Sequence, residues 1–444
     1  MSKSYFFPFG MLLLLSITFM NQSCLKDSCE ATRTYVLMQP VYKKVNEIRT
    51  DIRMEGPREL KAPGKIYFYN NFIFINEYRE GVHIVNNSDP SNPQIVGFVA
   101  IPGNVDMAVS GNLMYADNYI DLLTIDISNP QAPQLVSRTE NVFNSLALDV
   151  DLGHLVYYEP TDVTQAISCD NPNFQLDFFD CPNCSTLGGI RPGRPVFFSA
   201  ESVNKFSSSF DNSSSAGRAT TGIGGSLARF TLAQERLYTV SEFDLNVFSL
   251  KDPTAPVKSN TVNIGWGIET IFPYEDKLFI GSRSGMFIFD NSNPDAPQQL
   301  SVFQHANACD PVFVDGNTAY VTLRDGTECE TFTNQLEVVD VTDLTRPSLI
   351  KIYPMHHPIG LSVHNNTLYL CEDDQGLKVF DVTDKLAISD RLLEHRKGFT
   401  TYDIIVVPYE NPLALVIGKD GLYQFDVSNP DQLRELSKLP VYRE

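Results

Sequence analysis

The sequence predicts an all-β fold, a β-propeller of four-stranded blades. Three observations lead there. A stretch of β-branched and aromatic residues ending in Asp and an Asn/Pro turn recurs seven times. Each copy follows a hairpin-like strand pair, and the units repeat at about 41 residues. Radial closure of such units protects the sheet edges that an open array would expose. An open β-solenoid is the rival, but its rungs are usually shorter and lack hairpins.

The recurring stretch is clearest at Gly285, GMFIFDNSNPDAPQQL, with copies at Gly81 (GVHIVNNSDPSNPQIV), Leu122 (LLTIDISNPQAPQLV) and Leu245 (LNVFSLKDPTAPVKS). Three more begin at Leu336 (LEVVDVTDLTRPSLI), Gly376 (GLKVFDVTDKLAISD) and Gly421 (GLYQFDVSNPDQLRE). Upstream of each lie two apolar runs split by a short polar turn, as in KIYFYNNFIFINEY from Lys65. First strands therefore start near 67, 107, 230, 271, 313, 362 and 405. The long gap after 107 holds another strand pair, LALDVDLGHLVYYEPTD from Leu146, read as a degenerate blade. The count is seven or eight blades, with eight narrowly favoured.

Asp126, Asp290, Asp340, Asp381 and Asp426 occupy one place in five units, with Asn86 and Ser249 in two others. A catalytic group is needed once, so a residue repeated from blade to blade is read as holding the turn.

The domain organisation follows. Residues 1–23 read as a signal peptide, with Lys3 ahead of an apolar run from Phe6 to Met20. Residues 24–64 form an anchor spacer with an edge strand or short helix packed on the first repeat. Residues 65–444 form a single propeller domain, interrupted by an irregular insertion at about 165–228.

The net charge of −20 is spread along the chain. That argues against a nucleic-acid partner, which selects a basic face, and against docking to an anionic membrane by charge.

Ser23 directly before Cys24 resembles the relaxed lipobox of Bacteroidetes-type lipoproteins. The resemblance implies that Cys24 is the lipidated, palmitate-bearing mature N-terminus of an outer-membrane protein at the cell surface. Lys26 and Asp27 resemble the short charged signals that send such proteins to the outer leaflet. The strand-plus-Asp core, as in LLTIDIS, LEVVDVTD and GLKVFDVTD, resembles the LVIVD repeat of bacterial and archaeal surface proteins. It implies a propeller and a location rather than a reaction.

The remaining cysteines suggest staples. In the insertion, Cys181 and Cys184 form CPNC, with Cys169 upstream. A zinc knuckle lacks a fourth ligand there, and a redox dithiol lacks its βαβ setting, so a disulfide of Cys169 with Cys181 or Cys184 is the expectation. Cys309 and Cys329 flank one blade's strand pair and are expected to pair.

No HExxH, GxSxG or phosphate-loop motif occurs. His305, His356 and His357 fall in consecutive inter-blade links and share one rim, which makes them the weak catalytic candidates. Asp325, Glu328, Glu372, Asp373 and Asp374 are weak calcium candidates without EF-hand spacing. No other cofactor is expected. The functional expectation is a non-catalytic binding or scaffold module, contacting protein or glycan through rim loops and the insertion. The alternative is an envelope hydrolase or lyase using the rim histidines and a carboxylate.

Overall fold

The computed structural model describes residues 30–144, 147–168, 196–199, 223–305, 311–325 and 333–442. They form eight antiparallel sheets. Seven of these are meanders of consecutive strands. Blade 1 spans 63–100, blade 2 107–139, blade 3 230–263 and blade 4 268–304. Blade 5 spans 312–354, blade 6 361–396 and blade 7 403–440. The inner strands touch in sequence round a ring, each against the next, and Asp403–Val407 of blade 7 returns to Pro63–Tyr69 of blade 1. Met107–Ser110 of blade 2 packs directly on Phe230–Ala233 of blade 3.

The eighth sheet is built differently. The predicted degenerate pair forms as Ala147–Asp149 and Gly153–Ser168, and its longer strand pairs over its length with Glu30–Lys43 from the N-terminus. Val196–Ser199 adds on the far side of Glu30–Lys43. From there the chain makes a one-turn helix, Val45–Ile48, and an edge strand, Arg53–Glu55, on the outside of blade 1.

The alternation and burial of each strand follow its sequence. Inner and middle strands are apolar on both faces because blades pack on both sides, as in Leu413–Gly418, which is buried throughout. Outermost strands alternate, as in Val257–Asn263. Core clusters lie between neighbouring blades, such as Tyr369, Val379, Ile404 and Phe425 between blades 6 and 7. In all seven blades the register shifts once between third and fourth strands, for example between Ile288 and Phe289. Such a bulge bends the outer strand and sharpens its twist.

The repeated acid holds the turn. Asp126, Asp340, Asp381 and Asp426 each accept a hydrogen bond from the backbone N–H two residues on, at 2.7, 2.8, 2.8 and 3.0 Å. Asp290 accepts the equivalent bond from Ser292 at 3.2 Å and Asn86 from Ser88 at 3.0 Å. Ser249 makes the weakest version, at 3.5 Å.

The expectation of disulfide stapling is corrected: no disulfide forms among the described residues. Cys371 is a free thiol buried in the core on the second strand of blade 6. It is packed among apolar neighbours of blades 6 and 7, which hold the sheets together without a cross-link. Cys24, Cys169, Cys181, Cys184, Cys309, Cys329 and Glu328 lie outside the described residues, as does the leader. Among the described residues no helix is long and apolar enough to cross a membrane.

Candidate functional site

In a four-stranded meander, the links between blades and the turns between second and third strands emerge at the same end of the ring. That end is called the link face below. It carries two groups of polar side chains.

The first sits between blades 5 and 6. His356 and His357 are in the link that joins them, Asp325 follows the second strand of blade 5, and Glu372, Asp373 and Asp374 follow the second strand of blade 6. The structure thus brings two of the three histidine candidates, His356 and His357, and four of the calcium candidates into one neighbourhood. His357 Nε2 lies 3.1 Å from the carbonyl oxygen of Asp325. A carbonyl only accepts, so Nε2 carries a proton, and in the neutral ring Nδ1 bears the lone pair. Nδ1 faces Asp373 Oδ2 at 3.6 Å, and Nε2 is also 3.6 Å from Asp325 Oδ1. Burial lowers the His357 pKa and the nearby Arg324 guanidinium lowers it further, against the pull of the two aspartates. A neutral imidazole with one acceptor nitrogen results, the form a general base requires.

His356 Nε2 is 3.3 Å from Asp374 Oδ1, with both side chains mostly exposed. Glu372 is buried and faces inward: one oxygen accepts the His356 backbone N–H at 3.0 Å and the other meets Lys378 Nζ at 2.5 Å. His305 stands one link earlier, near Glu337 of blade 5, a carboxyl raised mainly by burial. Among the described residues no three metal-binding side chains gather closely enough to hold an ion. The acids here bind histidine, lysine and backbone instead.

The second group lies at the mouth of the central channel, and sequence reasoning missed it. Lys65, Asp106 and Asp403 begin or precede the inner strands of blades 1, 2 and 7. Lys65 Nζ is 3.1 Å from Asp106 Oδ2, both side chains buried. Asp106 Oδ2 also accepts the backbone N–H of Arg229 at 2.6 Å and of Phe230 at 3.0 Å. Asp117 Oδ1 accepts from Asn104 Nδ2 and the backbone of Val105 and Asp106 at 2.8 to 2.9 Å.

The chain itself lines this mouth. Ile223–Gly224 pairs with the inner strand of blade 1, and Gly225 donates to the Ile66 carbonyl. Ser226 then donates to Asp403 Oδ1 through both N–H and Oγ, each at 2.7 Å, while Oγ accepts the Leu361 N–H of blade 6. A Cβ on Gly225 would sit 1.9 Å from Asp403 Oδ2, so only glycine passes there. Residues 223–226 line the channel and touch blades 1, 6 and 7.

Burial pushes the Asp403 carboxyl up to about 8 and that of Asp117 up to about 6, and lowers Lys65 to about 8. Asp403 Oδ2 is buried with no hydrogen-bond partner. One signal was available: these residues hold the same position in successive units yet differ from unit to unit, unlike the turn acids.

A third polar cluster ties the N-terminal segment to blade 2. Asp121 is fully buried and accepts from Arg49 Nε at 2.8 Å, Arg138 at 3.1 Å and the Asn141 N–H at 2.8 Å.

Comparison with known proteins bears on the fold. The periplasmic gluconolactonase PpgL of Pseudomonas aeruginosa is similar over 92% of this chain and 96% of its own, at TM-score 0.51 and 11% identity. The computationally designed Ika8 protein covers 88% and 95%, at TM-score 0.48 and 9% identity. Hsv2p of Kluyveromyces lactis covers 86% and 100%, at TM-score 0.47 and 10% identity. At 11% identity the likeness to PpgL concerns architecture alone. No curated protein matches the chain. The LVIVD repeat matches residues 64–100, 103–140 and 307–354, which coincide with blades 1, 2 and 5. The chain is an all-β, propeller-like protein that carries LVIVD repeats.

Proposed function

We propose that the chain is a lipid-anchored outer-membrane lipoprotein of the cell surface, of the Bacteroidetes type. It works as a non-catalytic binding or scaffold module, engaging protein or glycan through the loops of the link face. The observation that carries this reading is that residues 223–229 line the channel mouth, bonded to the inner strands of blades 1, 2, 6 and 7. With that mouth occupied by the chain's own backbone and its buried polar groups bonded to one another, contact with a partner falls to the surrounding loops. Lipidation at Cys24 rests on the leader sequence.

The test has two parts. Cys24→Ala is expected to abolish palmitate incorporation and release the protein from the membrane fraction. Removal of 170–219, which leaves 223–229 in place, is expected to preserve cooperative unfolding and abolish capture of an envelope partner. Retained labelling of the Cys24 variant, or unchanged capture by the shortened chain, refutes the corresponding part.

One observation favours a second reading, an envelope hydrolase or lyase. His357 presents its acceptor nitrogen beside Asp373 and is held in its tautomer by Asp325. On that reading His357→Ala abolishes turnover of ester or glycoside substrates. A wild-type protein inactive on both removes it.

A further inference from the structure

The chain's single tryptophan is held out on the link face by local geometry. Trp266 lies in the link between blades 3 and 4, flanked by Gly265 and Gly267 with φ of +142° and +78°. Such φ values favour glycine. The Arg283 N–H donates to the Gly267 carbonyl at 2.9 Å, and a Cβ at Gly267 would come within 3.1 Å of the Arg283 stem. Glycine therefore lets that stem run alongside.

The Arg283 guanidinium lies 4.9 Å from the centre of the Trp266 ring, and its Nε donates to Glu269 at 3.0 Å. Both partners of this ion pair are largely buried, with side chains 12% and 10% exposed. A fixed cation thus backs the indole. The indole itself remains 37% exposed.

Phe243, 45% exposed, sits in the turn between second and third strands of blade 3. Its carbonyl accepts the N–H of Ile264 and of Gly265, so the two aromatics project from hydrogen-bonded neighbouring segments. Beside them Asn263 Nδ2 donates to Asp244 Oδ1 at 3.0 Å. Large aromatics are ordinarily buried, and exposed Trp beside Arg is the composition of binding hot spots.

We propose that Phe243 and Trp266 form a stacking platform for the pyranose rings of a neutral polysaccharide. This rests on the binding-module reading above. The ring C–H groups of a pyranose make an apolar face that matches an indole or phenyl ring. Its hydroxyls need short-range donors and acceptors, which Asn263 and Asp244 supply at the edge. An extended peptide would look for an unpaired strand edge, and an amphipathic helix for an apolar groove. Two rings in polar surroundings offer neither. A polyanion meets a chain of net charge −20.

The single tryptophan reports on its own site. Full-length protein in detergent is titrated with cellohexaose, chitohexaose and mannohexaose, following tryptophan emission. Affinity is measured by calorimetry for the wild type, Trp266→Ala and Phe243→Ala. The expected result is a saturable emission change with at least one hexasaccharide, and an affinity roughly tenfold or more weaker in each variant. Unaltered thermal unfolding shows that the variants fold. No saturable change with any of the three sugars overturns the platform, as does sugar binding that Trp266→Ala leaves intact. Capture of an envelope protein with no hexasaccharide response also overturns it, while the binding-module reading stands.

Discussion

Asp403→Asn isolates the protonation of the channel mouth. The Asp403 carboxyl is pushed up to about 8 by burial, against an ordinary value of 3.8. The unfolded chain gives up this proton near pH 3.8 and the folded chain keeps it to about pH 8, so the folded state binds more protons between those limits. Stability from this group is therefore fully present below pH 3.8 and is lost as pH rises to about 8. Each pH unit in that window costs about 1.4 kcal/mol. The accumulated cost is about 4 kcal/mol at pH 7 and about 6 kcal/mol once the folded carboxyl ionises. Asparagine keeps the oxygen that accepts from Ser226 and Ile404 and carries no charge to lose. Its amide replaces the unpartnered Oδ2 and adds a penalty of about 1–3 kcal/mol that does not vary with pH. The decisive quantity is thus the pH dependence of the difference. Urea unfolding followed by Trp266 emission from pH 5 to 8 is expected to show the variant gaining on the wild type by about 1.4 kcal/mol per pH unit. Parallel stability profiles for the two proteins would refute the argument, because they require an Asp403 already ionised at pH 5.

Two further substitutions test the other polar clusters. Asp121→Ala leaves Arg49 and Arg138 facing an emptied buried site, and the expected loss is about 3–5 kcal/mol in urea unfolding. Limited trypsin digestion is expected to cut after Arg49 or Arg53 well before the propeller itself, and equal resistance in variant and wild type would contradict that role. At the repeated turn, Asp126→Ala removes the acceptor for Ser128 and is expected to cost about 1 kcal/mol. Asp126→Asn is expected to be nearly neutral, since Asn86 makes the same turn in blade 1; a loss equal to that of alanine would show that charge, not the acceptor, matters.

The repeat made most of the propeller legible. Seven copies of one pattern located strands and turns because the signal sits inside each unit, within reach of local chemistry. The turn role of Asp290 was legible for the same reason. The partner of the N-terminal strand was not legible: TYVLMQPVY reads as a strand, yet nothing local says that Glu30–Lys43 pairs with Gly153–Ser168. Alternation specifies which face a strand buries and leaves its partner open. Threading of 223–229 through the channel mouth was invisible for a related reason. A Gly/Ser-rich run has the composition of a linker, and its partners, Ile66, Leu361 and Asp403, come from three blades. His356 and His357 were placed on one rim from their link positions. Their approach to Asp325 and Asp373 depends on how blades 5 and 6 lie side by side, which no single unit encodes.

The seam between blades 7 and 1 sets the order in which the ring is completed. Leu60 bridges to Val441, Asn87 and Gln424 exchange amide hydrogen bonds, and Ser437 donates to the Pro90 carbonyl. These contacts join the two ends of the propeller sequence, so they are the last to become available as the chain emerges from the ribosome or a translocation pore. Until blade 7 arrives, blade 1 shows an apolar flank with no neighbour, including Ile66, Phe68 and Ile73, which pack on Ile405, Leu415 and Ile417. Contacts of such sequence separation slow folding and prolong exposure of sticky intermediates. A chain stopped before blade 7 would therefore fail through association during assembly, before any deficit in the finished fold came into play.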